Sequence, residues 1–169
     1  MSFESLYQDL MAILEEEIET FRKMLDLTAQ QQRALTRDDI EAIRSAGERQ
    51  ERVAEEIRLI EARRLHIVRG IGQKAGLRED QLSLQRLSEL YRGQDAERMR
   101  ALRDTLLDLH AEIRRTNRNN ALLIRHALRY VSRTLQLFKG GDGSNRVYQR
   151  TGLTEGVAAG LRVAVNRVA

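Results

Sequence analysis

The chain has 169 residues with a formal net charge of +4, and it contains no Cys, no Pro and no Trp. Without cysteine there is no disulfide, no thiol nucleophile and no cysteine-ligated zinc, and without proline nothing forces a break in a helix. A hydrophobic fraction of 41%, with 4% aromatic and 32% charged residues, argues against a sheet and suits narrow apolar seams between long helices.

The opening Met-Ser-Phe-Glu is acidic and has no apolar core followed by small residues, so a secretory leader is not expected. No apolar run approaches the ~18 residues of a membrane span. A cytoplasmic location is therefore expected. Lys23, Lys74 and Lys139 are the lysines, and the remaining basic residues are arginines. That bias reads as genome composition rather than as a selected phosphate-binding surface.

From Phe3 to Leu35 the apolar residues recur at steps of three and four through Tyr7, Leu10, Leu14, Ile18, Phe21 and Leu25, which predicts one long amphipathic helix. Thr36 is expected to cap the next helix, with Leu35 and Ile40 flanking it as a hydrophobic staple. That second helix carries Ile43, Ala54, Ile57, Ile60, Ile67 and Ile71 on its stripe, with Gly47 and Gln50 leaving its middle weakly packed or open to a partner. The short connection predicts an antiparallel hairpin. The stretch Gly70–Gly76 lacks Walker spacing and reads as an inter-helix loop. Leu82, Leu87 and Leu90 then give a short helix that stops near Gly93.

Asp95 is placed to cap a last long helix from Ala96 to Phe138. Its stripe runs through Met99, Leu106, Ile113, Ile124, Leu128, Val131 and Leu135, interrupted by Asn117 and Asn120, whose expected role is to hold register against the hairpin. Two directions stay open. Up-down-up topology makes this helix parallel to the first, whereas pairing its arginines with the acidic start of the first helix would make it antiparallel. After Lys139, Gly140–Asn145 is a flexible linker by composition. Beyond it Tyr148, Leu153, Val157, Leu161, Val165 and Val168 form an apolar series read as disordered alone and helical when bound, the candidate partner-binding residues. The expected fold is thus all-α. It is an elongated antiparallel bundle or coiled coil of three long helices plus one short helix over residues 1–139, with a flexible C-terminal tail over 140–169.

Catalytic chemistry finds no foothold. His66, His110 and His126 have no second histidine at helical spacing, none completes the Glu-x-x-His pattern of bundle di-iron sites, and each reads as exposed or half-buried. The carboxylates read as lying on solvated faces. No catalytic, cofactor or metal residue is expected. Arg114, Arg115, Arg118, Arg125, Arg129 and Arg133 follow one another with no acid between Glu112 and Asp142. This face lacks aromatics that would stack bases, so it reads as facing an acidic stretch of protein before nucleic acid.

The segment Asn117-Arg118-Asn119-Asn120-Ala121-Leu122-Leu123-Ile124, with Leu128 and Tyr130 after it, resembles the N-x-x-N-x-x-L-I element of the FlgN-type flagellar export chaperones. Glu61-Ala62-Arg63-Arg64 is similar to that family's glutamate-then-arginine element. The first helix with Leu10, Leu14, Glu17 and Phe21, the Gln-rich turn into Ala34-Leu35, and Val147-Tyr148 with Gly152 also fit. The resemblance implies a cytoplasmic chaperone without enzymatic activity or cofactor. It would bind C-terminal amphipathic segments of hook–filament junction proteins, prevent their premature assembly and present them to the export gate. Two other readings are a homodimeric coiled-coil adaptor joined through the glycine-ridged tail and a basic helical protein that binds nucleic acid. Neither a stable membrane insertion nor a particular client follows from the sequence.

Overall fold

The computed structural model describes residues 2–139, which form α1 (Phe3–Thr36), α2 (Ile40–Ala75), a 3-10 turn (Glu79–Gln81), α3 (Leu84–Ser88) and α4 (Gln94–Lys139), with no strand among them. The expected bundle of three long helices and one short helix is the observed one.

α1 begins where the Ser2 hydroxyl accepts from the Ser5 N–H at 3.0 Å. It is the shared wall of the bundle, packing against α2 and also against α4. Leu6, Tyr7, Leu10, Leu14, Ile18 and Phe21 meet Ile57, Ile60, Val68 and Ile71 of α2 and Met99, Leu106 and Ile113 of α4 in one continuous core. The three- and four-residue steps of α1 therefore bury two adjoining stripes, which is why so much of this helix is inaccessible.

The turn between α1 and α2 differs from expectation. Thr36 is the last residue of α1, with its hydroxyl donating to the Arg33 carbonyl, and Asp39 caps α2 by accepting from the Ala42 N–H at 3.0 Å. Reversal needs a left-handed residue, supplied by Asp38 at φ +53°, and Asp tolerates that region through its short polar side chain. The cap thus falls three residues later. Ile40 is 74% exposed, so no staple forms.

The glycine-rich stretch is also not a loop. α2 continues through Gly70 and Gly72 to Ala75, and the chain leaves the helix at Gly76, φ +68°. The Gly76 N–H donates to the Gln73 carbonyl and the Leu77 N–H to the Gly72 carbonyl, the paired bonds of a Schellman end. Leu82 packs over the bare backbone of the helical Gly72, where a β-carbon would fall 2.3 Å from Leu82 Cδ2. Leu84 and Leu87 of α3 then close this end of the core. An aromatic lid completes it: Tyr91 stands 4.5 Å from the Tyr7 ring and 5.4 Å from Phe3.

α4 starts at Gln94, one residue before the expected cap, so Asp95 sits inside its first turn. The Asp95 carbonyl accepts from the Tyr7 hydroxyl at 3.0 Å, and 25 residues further along α4 the Asn120 amide donates to the Thr28 carbonyl, also at 3.0 Å. Early meets early and late meets late, so α4 runs parallel to α1. Asn120 is buried and its amide also reaches Gln31 Oε1 at 3.1 Å. Gln31 in turn accepts from Gln50 of α2 at 3.4 Å, while Arg49 donates to Gln30. The weak middle of α2 is therefore closed by a polar layer spanning all three long helices.

The same register decides where the seam ends. α1 has 34 residues and α4 has 46. Since Gln31 stands beside Asn120, Thr36 falls near Arg125 and α4 continues for roughly 20 Å past the hairpin turn. Ile124 is half-covered, but Leu128, Val131 and Leu135 are 45%, 51% and 56% exposed, where the stripe pattern alone predicts Leu128 to be buried.

Two expected outcomes follow from this packing. In chemical denaturation Ile113→Ala should lower stability by about 2–5 kcal/mol, whereas Leu128→Ala should change it by no more than about 0.5 kcal/mol. Removing the buried amide in Asn120→Ala should cost about 1–3 kcal/mol because Gln31 and the Thr28 carbonyl lose their donor. Asn117→Ala, at a half-buried position, should leave the midpoint near wild type.

Candidate functional site

Three acids in a row on α1, Glu15, Glu16 and Glu17, fan out to three arginines. Arg98 of α4 donates to Glu15 at 2.5 Å, Arg63 of α2 donates to Glu16, and Arg64 of α2 lies 3.0 Å from Glu17. The first two pairs are exposed and stabilise weakly. The third is inside the bundle, with Glu17 at 1% exposure, and its 3.0 Å approach is out of line for a hydrogen bond. Burial pushes the Glu17 carboxyl up to about 7, with Arg64 opposing the shift and Glu61 adding to it. His110 of α4 is buried in the same region, its ring edge-on to Phe21 with centroids 4.2 Å apart. Burial, with Arg114 and Arg64 as nearby charges, lowers its pKa to about 4.

Glu17 and His110 correct the expectation that the carboxylates are solvated and the histidines exposed or half-buried. One signal in the sequence points to Glu17, which occupies a stripe position between Leu14 and Phe21. This cluster lies between α1, α2 and α4. Among the described residues no group of His, Cys, Asp or Glu is arranged to hold a metal ion. No described helix is long and apolar enough to cross a membrane.

The accessible feature is the far end of α4. Leu123 lines an open recess with Gln32 and Thr36 of α1 and with Asn119, Leu122 and His126 of its own helix. Ile124 begins the uncovered stripe, Asn120 anchors it from inside, and Asn117 is half-buried one turn earlier. On the exposed polar side of the same helix Arg118, Arg125, Arg129 and Arg133 form no ion pair with any described residue. The parallel direction fits this, because the acidic start of α1 lies beside the start of α4 and not beside these arginines. The remaining sequence-derived candidates, Tyr148, Leu153, Val157, Leu161, Val165 and Val168, lie outside the described residues, as does the Gly140–Asn145 linker.

Comparison with known families agrees with this architecture. Residues 1–156 match the family described as FlgN protein. The chain belongs to the FlgN family. The FlgN family is a family of flagellar export chaperones. No curated protein and no solved structure matches the chain significantly. The elements that carry the sequence resemblance have physical roles in the bundle: Arg64 and Glu17 face each other in its interior, and Asn120 ties α4 to α1.

The buried pair of titrating groups makes stability respond to pH in two opposed ways. Glu17, raised from 4.5 to about 7, keeps its proton in the fold after the unfolded chain has lost it. Its contribution is full below about 4.5 and is lost as pH rises to about 7. His110, lowered from 6.5 to about 4, contributes fully above 6.5 and loses that contribution as pH falls to about 4. The two effects oppose between 4.5 and 6.5. Urea midpoints measured against pH should show the separated slopes: relative to wild type, Glu17→Gln should gain stability with rising pH across this window, and His110→Leu should lose it.

Proposed function

We propose that this FlgN-family chain is a cytoplasmic chaperone for hook-associated proteins, holding their amphipathic segments before assembly and presenting them to the type III export apparatus. The observation that best supports this reading is the apolar stripe of α4, which is core along Met99, Leu106 and Ile113 and continues uncovered through Leu128, Val131 and Leu135. A helix with such a stripe accepts another amphipathic helix in the way a groove accepts its ligand. An exporter's client needs that cover, because the face it will bury in the assembled filament is otherwise open to premature association.

Residues 140–169 extend this surface in the proposal. Gly140, Gly141 and Gly143 separate them from the bundle, and Tyr148, Leu153, Val157, Leu161, Val165 and Val168 supply an aromatic anchor and an apolar series for the client. Ordering such an arm on binding lowers net affinity for the area buried, which suits a partner that must release its client at the export gate.

A pull-down with purified hook-associated proteins, using the full chain and a chain ending at Lys139, tests the proposal. The shortened chain should melt within a few degrees of the full one and bind its client far more weakly. Failure of the full chain to hold any hook-associated protein would reject the chaperone assignment, and equal binding by both chains would reject the arm.

A further inference from the structure

Past the α1–α2 turn, the stripe of α4 runs on through the exposed Leu128, Val131 and Leu135, with the half-covered Ile124 at its inner end. At about 100° per residue, Arg125, Arg129 and Arg133 lie roughly 90° to 170° from the centre of that stripe. Its charges therefore sit towards the opposite face and neither attract nor repel what lies on it. The stripe is also small. Three exposed apolar side chains present far less than the roughly 800 Å² per partner that a stable interface between separate molecules needs. A lasting cover for it has to be tethered, and the chain itself continues from Lys139, where α4 ends. In that continuation Val157, Leu161, Val165 and Val168 cover the same length of helix as Ile124, Leu128, Val131 and Leu135, about 17 Å. Written on a helix, they and Leu153 fall within about 120° of arc, with Glu155, Arg162 and Arg167 outside it. Residues 140–152, rich in glycine and polar side chains, give a coil with a mean end-to-end distance of roughly 20 Å, enough to turn the chain back.

We propose that residues 153–168 of the free chain fold back as a helix antiparallel to the end of α4 and cover its stripe, Val157 against Leu135 and Val168 against Ile124. The tether decides the occupant. A short flexible linker holds the segment at an effective concentration on the order of mM, which fills a contact too small to retain a free molecule. A second copy would bring a stripe no larger than this one and no such tether. Gly152, Gly156 and Gly160 flank the apolar series, where they allow close approach of the two backbones and weaken the helix on its own. The cover is thus one that a client can lift. The inference concerns the chain before any client arrives, and it adds to the proposed function what occupies the α4 stripe until then; the arm that grips a client is the cover that has left it.

The chain has no cysteine, so two introduced thiols in the full chain report on each other alone. In dilute protein Leu135→Cys with Val157→Cys should oxidise to an intramolecular disulfide, read as a monomer of altered mobility on a non-reducing gel. Arg133→Cys with Val157→Cys is the control, at the same height on α4 but on its opposite face. The first pair should close about tenfold faster, because both pairs share one tether and only the first is held in contact. Adding Leu161→Glu to the first pair should bring its rate down to that of the control, with the thermal melt unchanged. If the first pair melts early, Val131→Cys with Leu161→Cys replaces it and Val165→Glu serves as the disrupting change. Equal rates for the stripe pair and the control, or a rate untouched by the glutamate, would overturn the proposal. So would disulfides formed mainly between chains, which give the stripe to a second copy. Sedimentation with phosphatidylglycerol vesicles that Leu128→Ser and Val131→Ser abolish, without fast closure of the stripe pair, would give it to a bilayer and overturn the proposal too. Fast closure in a chain that holds no hook-associated protein would leave this inference standing and reject the chaperone reading. Slow closure in a chain that does hold one would do the reverse.

Discussion

The amide of Asn120, donating to the Thr28 carbonyl from within an otherwise apolar seam, sets the axial position of α4 against α1. Apolar side chains alone tolerate a slip of one turn, since Leu and Ile replace one another in neighbouring holes at modest loss. A buried amide does not tolerate it, because sliding strands a donor and leaves a carbonyl and Gln31 without their partner. Everything at the two ends of the molecule depends on this alignment. With Asn120 beside Gln31, the Tyr7 hydroxyl meets the start of α4, the aromatic lid closes one end, and the surplus length of α4 emerges at the other.

That alignment also sorts the charges. Glu15, Glu16 and Glu17 of α1 pair with Arg98, Arg63 and Arg64. The arginines Arg118, Arg125, Arg129 and Arg133 of the second half of α4 are exposed and have no acidic partner among the described residues. A chain with a net charge of +4 thereby carries unneutralised positive charge on the helix end that also bears its uncovered apolar stripe.

Much of this fold was legible from periodicity. The steps through Leu10, Leu14 and Ile18 and the break before Ile40 are local patterns that give the long helix and the hairpin, although the cap falls at Asp39 and not at Thr36. What was not legible is non-local. Gly70 and Gly72 look like loop formers, yet both lie in α2, with Leu6 beside Gly70 and Leu82 beside Gly72. Glu17 and His110 look solvated because their burial is produced by two other helices closing over them. Leu128 looks buried because a stripe pattern records which face is apolar and says nothing about where the covering helix stops. The direction of α4 was likewise undecidable from charge, since among the described residues the arginine stretch makes no ion pair with α1. For the candidate site, Ile124 and Asn120 were visible as a motif, whereas their position at the boundary between covered and uncovered seam required the register.

The separations spanned by the two hydrogen bonds that align α4 with α1, 88 and 92 residues, have a kinetic side. The α1–α2 hairpin grows from a tight turn, so its contacts close short loops near the turn and zip outward. The α1–α4 seam can form only after the chain has travelled the length of α2 and back, and closing so long a loop is entropically dearer. Assembly is therefore ordered, with the hairpin as template and α4 as the late arrival. No proline isomerisation delays either stage, for the chain contains no Pro. On a nascent chain the helix that carries the exposed stripe is thus the last to be docked, and it settles on a platform already built.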